Sequence, residues 1–258
     1  MDKNVLQQKV AFEDIYKVEK IGRFNFHITK DKLIRYLRDR RLQKALDYLK
    51  DNYKDKVLEW NVLTVCGGVG GEGIFFLRSG FKDVTVSDFS ANSLLIAKEF
   101  DKELKTIQLN AEVVDLPDNS YDLVVVQDGL HHLPRPALGF TEMLRVARKA
   151  IIVVEPYNSV VGKMVGTEWE VQDDAVNYVY RWDKKMVEQT VKSYLLQSHG
   201  PIKVFRFWDH NMVVGKLAKL FPEKMRLAVA KAIYALLTPF GFTGNMMVCV
   251  VIKNAGQL

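Results

Sequence analysis

The stretch LTVCGGVGGEG, residues 63–73, is an apolar run that breaks into five glycines. The apolar part predicts the end of a buried strand, and the residues after the glycines predict the start of a helix. Glycines at such a junction let a ligand lie directly against the backbone, since no side chain intervenes. Free N–H groups at a helix start also favour the anionic end of a ligand. The stretch therefore predicts a ligand-binding turn.

Strand-like and helix-like segments alternate on either side of this turn. The predicted strands are residues 57–66, 83–88, 106–110, 121–128 and 149–155. A helix capped by Ser90 is predicted to follow the second strand. The segment PALGFTEMLRVAR, between the last two of these strands, is predicted to be an amphipathic helix. Strands that read as continuous Val, Ile and Leu runs are typical of a parallel sheet with helices on both faces. The pattern predicts an α/β fold.

The regions that flank this core have a different character. Residues 1–56 are predicted to be helical with a break at Gly22, and residues 157–182 to be irregular. The later predicted elements are a helix from Asp183 to about residue 197, a strand at 202–208, two helices parted at Pro222, and a last strand at 246–253. We see no repeat, low-complexity tract or linker, which favours a single domain over residues 1–258.

Composition narrows the class of protein. With 48% hydrophobic and 26% charged residues, the chain is neither disordered nor fibrous. No apolar run approaches the roughly 20 residues needed to cross a bilayer, and no signal peptide is evident, so we expect a cytoplasmic protein. Cys66 and Cys249 lie in apolar runs, which suits a protein of a reducing compartment. The two cysteines do not have the spacing of metal ligands. No metal site is therefore predicted.

Positive charge is concentrated near the start of the chain. The net charge is +6, and residues 20–56 hold twelve Lys or Arg against five Asp. Such a surface could meet phosphate, nucleic acid or anionic lipid. Apolar residues at helical spacing favour another interpretation, in which the charges lie on the solvated face of a helix whose opposite face packs on a core. These apolar residues are Leu33, Ile34, Leu37, Leu42, Ala45, Leu46 and Leu49.

The glycine turn fits a known nucleotide-binding pattern. Gly68, Gly70 and Gly73 match G-x-G-x-x-G, and Asp88 ends the next strand. That carboxylate is placed to accept hydrogen bonds from ribose hydroxyls. The same geometry serves any adenosyl ligand, so this pattern alone does not distinguish a dinucleotide from other adenosyl compounds.

A later segment, NAEVVDLPDNSYDLVVVQDGLHHL at residues 110–133, distinguishes them. Ala111-Glu112, Leu116-Pro117, the run from Asp118 to Asp122, the apolar LVVV and His131-His132-Leu133 occur here in order. In these features the chain resembles the class I S-adenosylmethionine-dependent methyltransferases, within the small-molecule group that includes ubiquinone, menaquinone and natural-product methyltransferases. The resemblance covers about residues 57–156.

The resemblance implies an architecture. It implies a Rossmann-like fold with a seven-stranded, mostly parallel sheet, an antiparallel last strand, helices on both faces and helical additions. Residues 1–56 would form a helical cap and residues 57–156 the cofactor-binding core. Residues 157–258 would lie on the substrate side, with a helical insertion at about 211–238.

The resemblance also implies cofactor contacts for S-adenosylmethionine. The loop from Gly67 through Gly68 to Gly70 would meet the methionine part, with Cys66 at the family's first glycine position. The remaining implied contacts are Asp88 with the ribose, Phe89 beside the adenine, Asn110 and Ala111 at the adenine edge, and Gln127 near the amino-acid end. Two further departures from the family pattern are Thr64 and Asn110, which stand where an Asp is expected.

The implied reaction is methyl transfer to a hydroxyl or amine of a small molecule. A hydroxyl acceptor must lose a proton, and histidine fits that role near neutral pH. Natural-product O-methyltransferases of this group suggest His131 or His132 as the base, and Glu155 could orient the imidazole. A local packing role for the histidines is the competing interpretation.

Other interpretations rest on single features. The basic region suggests RNA or DNA methylation, but Gln127-Asp128-Gly129 stands where base-amino methyltransferases carry Asn-Pro-Pro-aromatic, so no nucleic-acid partner is expected. The glycine pattern alone would also suit a nicotinamide dehydrogenase. Thr64 and Cys66 leave room for a non-catalytic S-adenosylmethionine-binding protein. The amphipathic stretch 211–237 could touch a membrane or a second subunit, although a lid or core helix is favoured.

Overall fold

The computed structural model describes residues 3–172 and 175–254. Its strands, numbered in chain order, are β1 Asn61–Thr64, β2 Asp83–Asp88, β3 Lys105–Gln108, β4 Tyr121–Gln127, β5 Ala147–Pro156, β6 Trp169–Gln172, β7 Ala175–Tyr178, β8 His199–Phe207 and β9 Met246–Lys253. Its α-helices are α1 Lys3–Ile15, α2 Lys32–Tyr53, α3 Gly71–Arg78, α4 Ala91–Phe100, α5 Pro136–Val146, α6 Val160–Val165, α7 Lys184–Leu195, α8 Asn211–Lys219 and α9 Glu223–Leu237. Short 3-10 helices span Val18–His27, Lys54–Glu59, Leu130–His132 and Thr238–Thr243.

Seven strands form one sheet in the order β3-β2-β1-β4-β5-β9-β8. β1 to β5 pair in parallel, whereas β9 runs antiparallel to both β5 and β8. This is the Rossmann-like class I methyltransferase architecture, and the predicted antiparallel last strand is confirmed. The chain continues to β2 on one side of β1 and later returns to β4 on the other. The crevice at this reversal is where open α/β sheets bind ligands.

Both faces of the sheet are buried, as the continuous apolar strands predicted. In β4, Leu123 and Val125 belong to one core cluster, whereas Val124 and Val126 belong to the cluster on the opposite face. This division follows from the two-residue period of a strand, which sends successive side chains to opposite faces. All four side chains are fully buried. The burial fixes the register that brings the ends of β1, β2 and β4 to one edge.

The helices around the sheet largely agree with the sequence. Asp31 caps α2 by accepting from the N–H groups of Leu33 and Ile34, and all the predicted stripe residues except Ile34 are buried. Ser90 caps α4, as predicted, by accepting from the Ser93 N–H. The break at Gly22 is a 3-10 helix.

Two boundaries differ from the prediction. β1 is only four residues long, because residues 54–59 form a 3-10 helix before it. The segment 157–182, predicted to be irregular, contains α6 and the hairpin β6–β7 within the described residues. The hairpin lies outside the main sheet, and α1 packs near β7. Its apolar residues alternate with polar ones but face solvent, as Val176 and Tyr178 do.

The insertion before the last strand forms two helices that separate at Pro222, as predicted. α8 and α9 pack on the first half of α2. The small apolar cluster that joins them contains Leu33, Leu37, Val214, Ala218, Ala230 and Tyr234. Arg40 stacks its guanidinium 3.5 Å from the centre of the Tyr234 ring. The insertion is therefore attached to the N-terminal helices rather than to the sheet's ligand-binding edge.

Candidate active site

The glycine turn adopts backbone conformations that explain its sequence. Gly68 and Gly70 have φ values of +48° and +84°, and Cys66 also has a positive φ of 51°. A Cβ on Gly67 would lie 2.5 Å from Thr64 Oγ1, so this position has no room for a side chain. A Cβ on Gly73 would lie 2.5 Å from Val86, which is the close helix-to-strand packing expected of the third glycine.

Asp88 ties the turn to the end of β2. Its carboxylate accepts from the N–H of Gly68 at 2.8 Å and from the N–H of Ser90 at 2.9 Å. Burial raises the pKa of Asp88, and these two hydrogen bonds oppose that shift. A carboxylate has about four acceptor positions, so two remain for hydroxyl groups of a ligand.

A cavity of about 360 Å³ lies at this edge of the sheet. Of the predicted cofactor contacts, those that line it are Cys66, Gly67, Gly68, Asp88, Phe89, Asn110, Ala111 and Gln127. Gly70 lies outside the lining and packs beneath the turn, where a Cβ would be 3.0 Å from Ala97. Residues from four separated segments thus meet around one space.

One end of the cavity is rich in acceptor groups that the sequence did not indicate. Glu72, from the first turn of α3, and Asp128, just after β4, line it beside Gln127. Burial, together with the nearby Asp128 charge, raises the pKa of Glu72 to about 7. Gln127 Nε2 donates to Glu72 at 3.3 Å, while its buried Oε1 has no hydrogen-bond partner among the described residues. An ammonium group would satisfy these acceptors.

A buried arginine holds this acidic end in place. Arg41 from α2 donates to both oxygens of Asp128, at 3.0 and 2.5 Å, and lies 3.3 Å from Asp209. Although burial disfavours the charged guanidinium, the two carboxylates outweigh it and raise the pKa of Arg41. Asp128 itself has a φ of +53°, so its backbone is also constrained. The N-terminal helices therefore shape the cavity.

The first helix closes the other side of the cavity. Glu13 accepts from the N–H groups of Ala91 and Asn92 and from the Ser90 hydroxyl, at 2.8 to 3.1 Å. It satisfies free donors at the start of α4 that Ser90 alone cannot reach. The end of α1 is thereby fixed, with Phe12 and the following Tyr16 in the cavity wall. Burial, and the Asp88 charge, raise the pKa of the Tyr16 hydroxyl, which stays neutral.

The two predicted histidines differ in environment. His131 is buried and lies outside the cavity lining, and its Nδ1 donates to Glu155 Oε2 at 2.6 Å. Glu155, fully buried, also accepts from the N–H groups of Gly129 and Leu130. Burial disfavours the imidazolium, but the Glu155 charge and hydrogen bond outweigh it and raise the pKa of His131 to about 10. His131 is therefore positively charged at neutral pH.

His132 lines the cavity and has the opposite shift. Burial and the neighbouring His131 charge lower the pKa of His132, so its imidazole is neutral at pH 7. Its Nδ1 lies 3.0 Å from Asn177 Oδ1, and Asn177 Nδ2 donates to the His131 carbonyl at 3.4 Å. With Asn177 oriented in this way, Nδ1 carries the proton and Nε2 has a free lone pair. The Phe12 ring packs edge-on against His132 at 5.6 Å.

Glu170 of the hairpin completes a cluster with both histidines. Its carboxylate lies 3.5 Å from His131 Nε2 and 4.0 Å from His132 Nε2. These groups could hold a metal ion by proximity alone, since their ligand atoms lie within 4.8 Å of one another. The sequence assigned no metal ligand here, because Glu170 lies 38 residues after His132 in a segment predicted to be irregular.

A second opening adjoins the cavity. A groove of about 1050 Å³ runs between α1, the turn after β4 and the hairpin, and it shares Gln8, Leu133 and Pro134 with the cavity. His131 and Asn177 lie in its wall, together with the apolar side chains of Leu6, Val10, Val176 and Tyr178. The cavity and the groove thus meet beside the histidine pair.

Comparison with known proteins agrees with this geometry. Residues 63–154 match the family model described as a methyltransferase domain. Demethylmenaquinone methyltransferase of Renibacterium salmoninarum is 32% identical over 87 residues, which is 34% of this chain and 36% of that protein. The chain thus matches little more than a third of this relative's length. Residues 63–154, which the family model matches, include the glycine turn, Asp88 and the histidine pair.

Solved structures share the fold over more of the chain. An S-adenosylmethionine-dependent methyltransferase from Thermotoga maritima has a TM-score of 0.57 at 14% identity, covering 95% of this chain and 99% of that one. A Haemonchus contortus phosphoethanolamine N-methyltransferase, solved with phosphomonomethylethanolamine and S-adenosylhomocysteine, has a TM-score of 0.51 at 15% identity. It covers 77% of this chain and 49% of that one.

Proposed function

We propose that this chain, which carries a class I S-adenosylmethionine-dependent methyltransferase domain, transfers the cofactor's methyl group to a hydroxyl or amine of a small molecule. The observation that carries the proposal is the shared cavity. The glycine turn, the Asp88 carboxylate, the acidic end and the His132 imidazole all face the same 360 Å³ space. A cytoplasmic location and a single domain over residues 1–258 belong to the same proposal.

The residues present suit the cofactor at both of its polar ends. Asp88 would accept from the ribose hydroxyls with the lone pairs that Gly68 and Ser90 leave free. Glu72 and Gln127 would accept from the methionine ammonium. They would substitute for the acidic residue that the family carries at the position of Thr64. Phe89, Asn110 and Ala111 would surround the adenine.

The chemistry needs orientation more than covalent help. When bound, S-adenosylmethionine supplies a methyl group already activated by a sulfonium. Holding an acceptor in line with that group can be worth roughly 7 to 11 kcal/mol relative to free reactants. Closure of the cavity by Phe12 and Tyr16 would exclude water and restrict the acceptor's position.

The opposite pKa shifts of the two histidines support different roles for them. His132 would take the proton of a hydroxyl acceptor through its free Nε2, because its lowered pKa keeps it neutral. His131 would serve as a positioning residue, since its proton is held by Glu155 and it lies outside the cavity lining. Glu155 would fix the turn that presents both side chains.

The basic region and the groove favour a small acceptor over nucleic acid. The arginines of the basic N-terminal region are largely engaged within the protein: Arg38 pairs with Asp39, Arg40 with Asp209, and Arg41 with Asp128 and Asp209. The groove beside the histidines is lined mostly by apolar side chains with a few polar ones such as Gln8 and Asn177, which suits a partly apolar acceptor such as a phenol or quinol. The demethylmenaquinone methyltransferase likeness points to the same chemical class.

Calorimetry and a transfer assay test the proposal in sequence. S-adenosylhomocysteine should bind with micromolar affinity while NAD shows no heat, which separates this function from a dehydrogenase. Labelled S-adenosylmethionine is then offered with demethylmenaquinol, simple phenols and primary amines, and products are detected by mass spectrometry. Absence of binding would overturn the cofactor assignment. Binding without methylation of any acceptor would favour a non-catalytic S-adenosylmethionine-binding protein.

A further inference from the structure

Exposed apolar side chains are concentrated on the α8–α9 insertion. Between residues 212 and 242 nine large apolar side chains are exposed: Met212, Val213, Leu217, Leu220, Phe221, Met225, Leu236, Phe240 and Phe242. Leu220 is 80% exposed, Met212 77% and Leu236 74%. Single exposed apolar residues are ordinary, but a dense group of them marks an interaction surface. We call these nine residues the apolar surface of the insertion.

The spacing of these residues gives each helix an apolar stripe. Val213 and Leu217 in α8, and Leu220 directly after it, are exposed and follow at i, i+4 and i+7. In α9, the exposed residues Met225, Ala228, Ala232 and Leu236 follow at i, i+3, i+7 and i+11. Residues at these spacings share one helix face. The opposite faces are already used, since Val214, Ala218, Ala230 and Tyr234 pack on α2.

Lysines lie beside both stripes. Lys216 and Lys219 are exposed on α8, and Lys224 and Lys231 are exposed on α9. Residues 211–243 contain five Lys or Arg and one acidic residue, Glu223. Exposed apolar residues next to clustered cations are the features of helices that lie in the interface of an anionic bilayer.

We propose that the α8–α9 insertion docks this protein on the surface of a membrane that contains anionic lipid. Phe240 and Phe242, at the end of the insertion, would add aromatic anchors at headgroup level. A second copy of the chain fits this surface less well, because a symmetric contact would bring its lysines against one another. The inference does not depend on the proposed methyl transfer.

The insertion would lie on the membrane rather than cross it. Glu223–Thr243 is long and apolar enough to span a bilayer by length and composition, and only 17% of its most apolar window is buried. However, Lys231 stands in the middle of α9, and a charge at the bilayer centre is costly. Tyr234 also donates to Asn211 at 2.8 Å, which holds α9 against α8.

Vesicle co-sedimentation with the full chain tests the inference. The wild-type protein should sediment with vesicles of phosphatidylcholine and phosphatidylglycerol but not with phosphatidylcholine alone. Binding should weaken about fivefold for each cation removed, in Lys219→Gln and in Lys224→Gln. Raising salt from 0.1 to 1 M should also weaken it, since the screening length shortens from about 10 to about 3 Å.

Two further variants test the apolar part, with a matched control. Leu220→Asp and Leu236→Asp should abolish sedimentation, whereas Leu95→Asp, at an exposed leucine on α4, should leave it intact. Binding of S-adenosylhomocysteine by all three variants would show that they are folded. The inference is overturned if anionic vesicles are not bound, or if Leu220→Asp and Leu236→Asp bind them as well as the wild type. Sedimentation velocity showing a wild-type dimer that Leu236→Asp dissociates would also overturn it, in favour of a second copy.

Discussion

Glu155 Oε2 lies 2.6 Å from His131 Nδ1 in the protein interior, and the other oxygen of the same carboxylate accepts from the N–H groups of Gly129 and Leu130. One side chain at the end of β5 therefore fixes the turn after β4 and the charge state of the first histidine. A buried carboxylate is tolerated here because three donors surround it.

The first prediction concerns this pair and the pH dependence of stability. The pKa of His131 is raised from 6.5 to about 10, so its contribution is full below pH 6.5 and is lost as pH rises towards 10. Glu155→Gln should lower the free energy of unfolding at pH 7 by about 3 kcal/mol, because it removes one partner of a buried pair. Denaturant unfolding at several pH values measures both effects.

The quantity to compare is the difference in free energy of unfolding between the wild type and Glu155→Gln, because the titration of other groups cancels in this difference. It should be large at pH 6 and shrink towards pH 10. Glu168→Gln, at an exposed position, serves as the control. A difference that stays constant across this range would show that the pair does not carry the proton we assign to it.

Much of the fold follows from local patterns in the sequence. The strands β2, β4, β5 and β9 agree closely with apolar runs, because both faces of each are buried and no polar alternation obscures them. The hairpin β6–β7 could not be found in this way. Its apolar residues Trp169, Val171, Val176 and Tyr178 are all exposed while the polar Asn177 is buried, so the strands reverse the usual pattern of apolar residues facing the core.

The candidate site shows the same division. The glycine turn, Asp88 and the histidine pair could be predicted from the sequence, because each belongs to a short contiguous pattern. Glu72 was not, since its environment depends on Arg41 and Asp128, which are 87 residues apart in sequence. Glu13 reaches the start of α4 across a similar separation. Interactions between distant segments leave no local signal.

A second prediction concerns Asp88 and cofactor affinity. Asp88→Asn should weaken binding of S-adenosylhomocysteine at least tenfold, because charge-assisted hydrogen bonds contribute about 1.5–3 kcal/mol each. Asp83→Asn, at the exposed start of the same strand, should bind normally and provides the control. Titration calorimetry measures both. Equal affinity in the two variants would remove Asp88 from the proposed site.

The third prediction follows from the pKa of about 7 for Glu72. The ionised carboxylate attracts an ammonium, and its fraction rises as pH increases through 7. The affinity of the wild type for S-adenosylhomocysteine should therefore increase by up to about tenfold between pH 6 and 8. In Glu72→Gln this dependence should disappear.

The exposed Glu99→Gln should keep the wild-type pH profile of binding. The same calorimetric titration, repeated in buffers of matched ionic strength, provides the comparison. If Glu72→Gln retains the full pH dependence, another group at the cavity is responsible.

A fourth prediction tests whether α1 is part of the site. Glu13→Ala leaves free N–H groups at the start of α4 and should destabilise the docking of α1 by about 1 kcal/mol. Because Phe12 and Tyr16 then lose their support, S-adenosylhomocysteine should bind several-fold more weakly. Protease cleavage within residues 3–27 should become faster. Glu19→Ala, exposed in the same region, should change neither property.

The last prediction separates the histidines by function. With a hydroxyl acceptor, His132→Gln should lower kcat by about 10²- to 10⁴-fold, the usual contribution of a general base. The affinity for S-adenosylhomocysteine should stay within about twofold, because we assign the imidazole to the acceptor rather than to the cofactor. His210→Gln, on the α8 side of the fold, is the matched control.

The pH profile gives the sign of the effect. The neutral imidazole is the active form, and burial lowers the pKa of His132 below its usual 6.5, so wild-type kcat should fall on the acid side with its midpoint below pH 6.5. In His132→Gln the acid limb should vanish. If His132→Gln keeps both the rate and the acid limb, His132 is only a packing residue against Phe12. Solvent would then accept the proton, or the acceptor would lose it without a base from the protein.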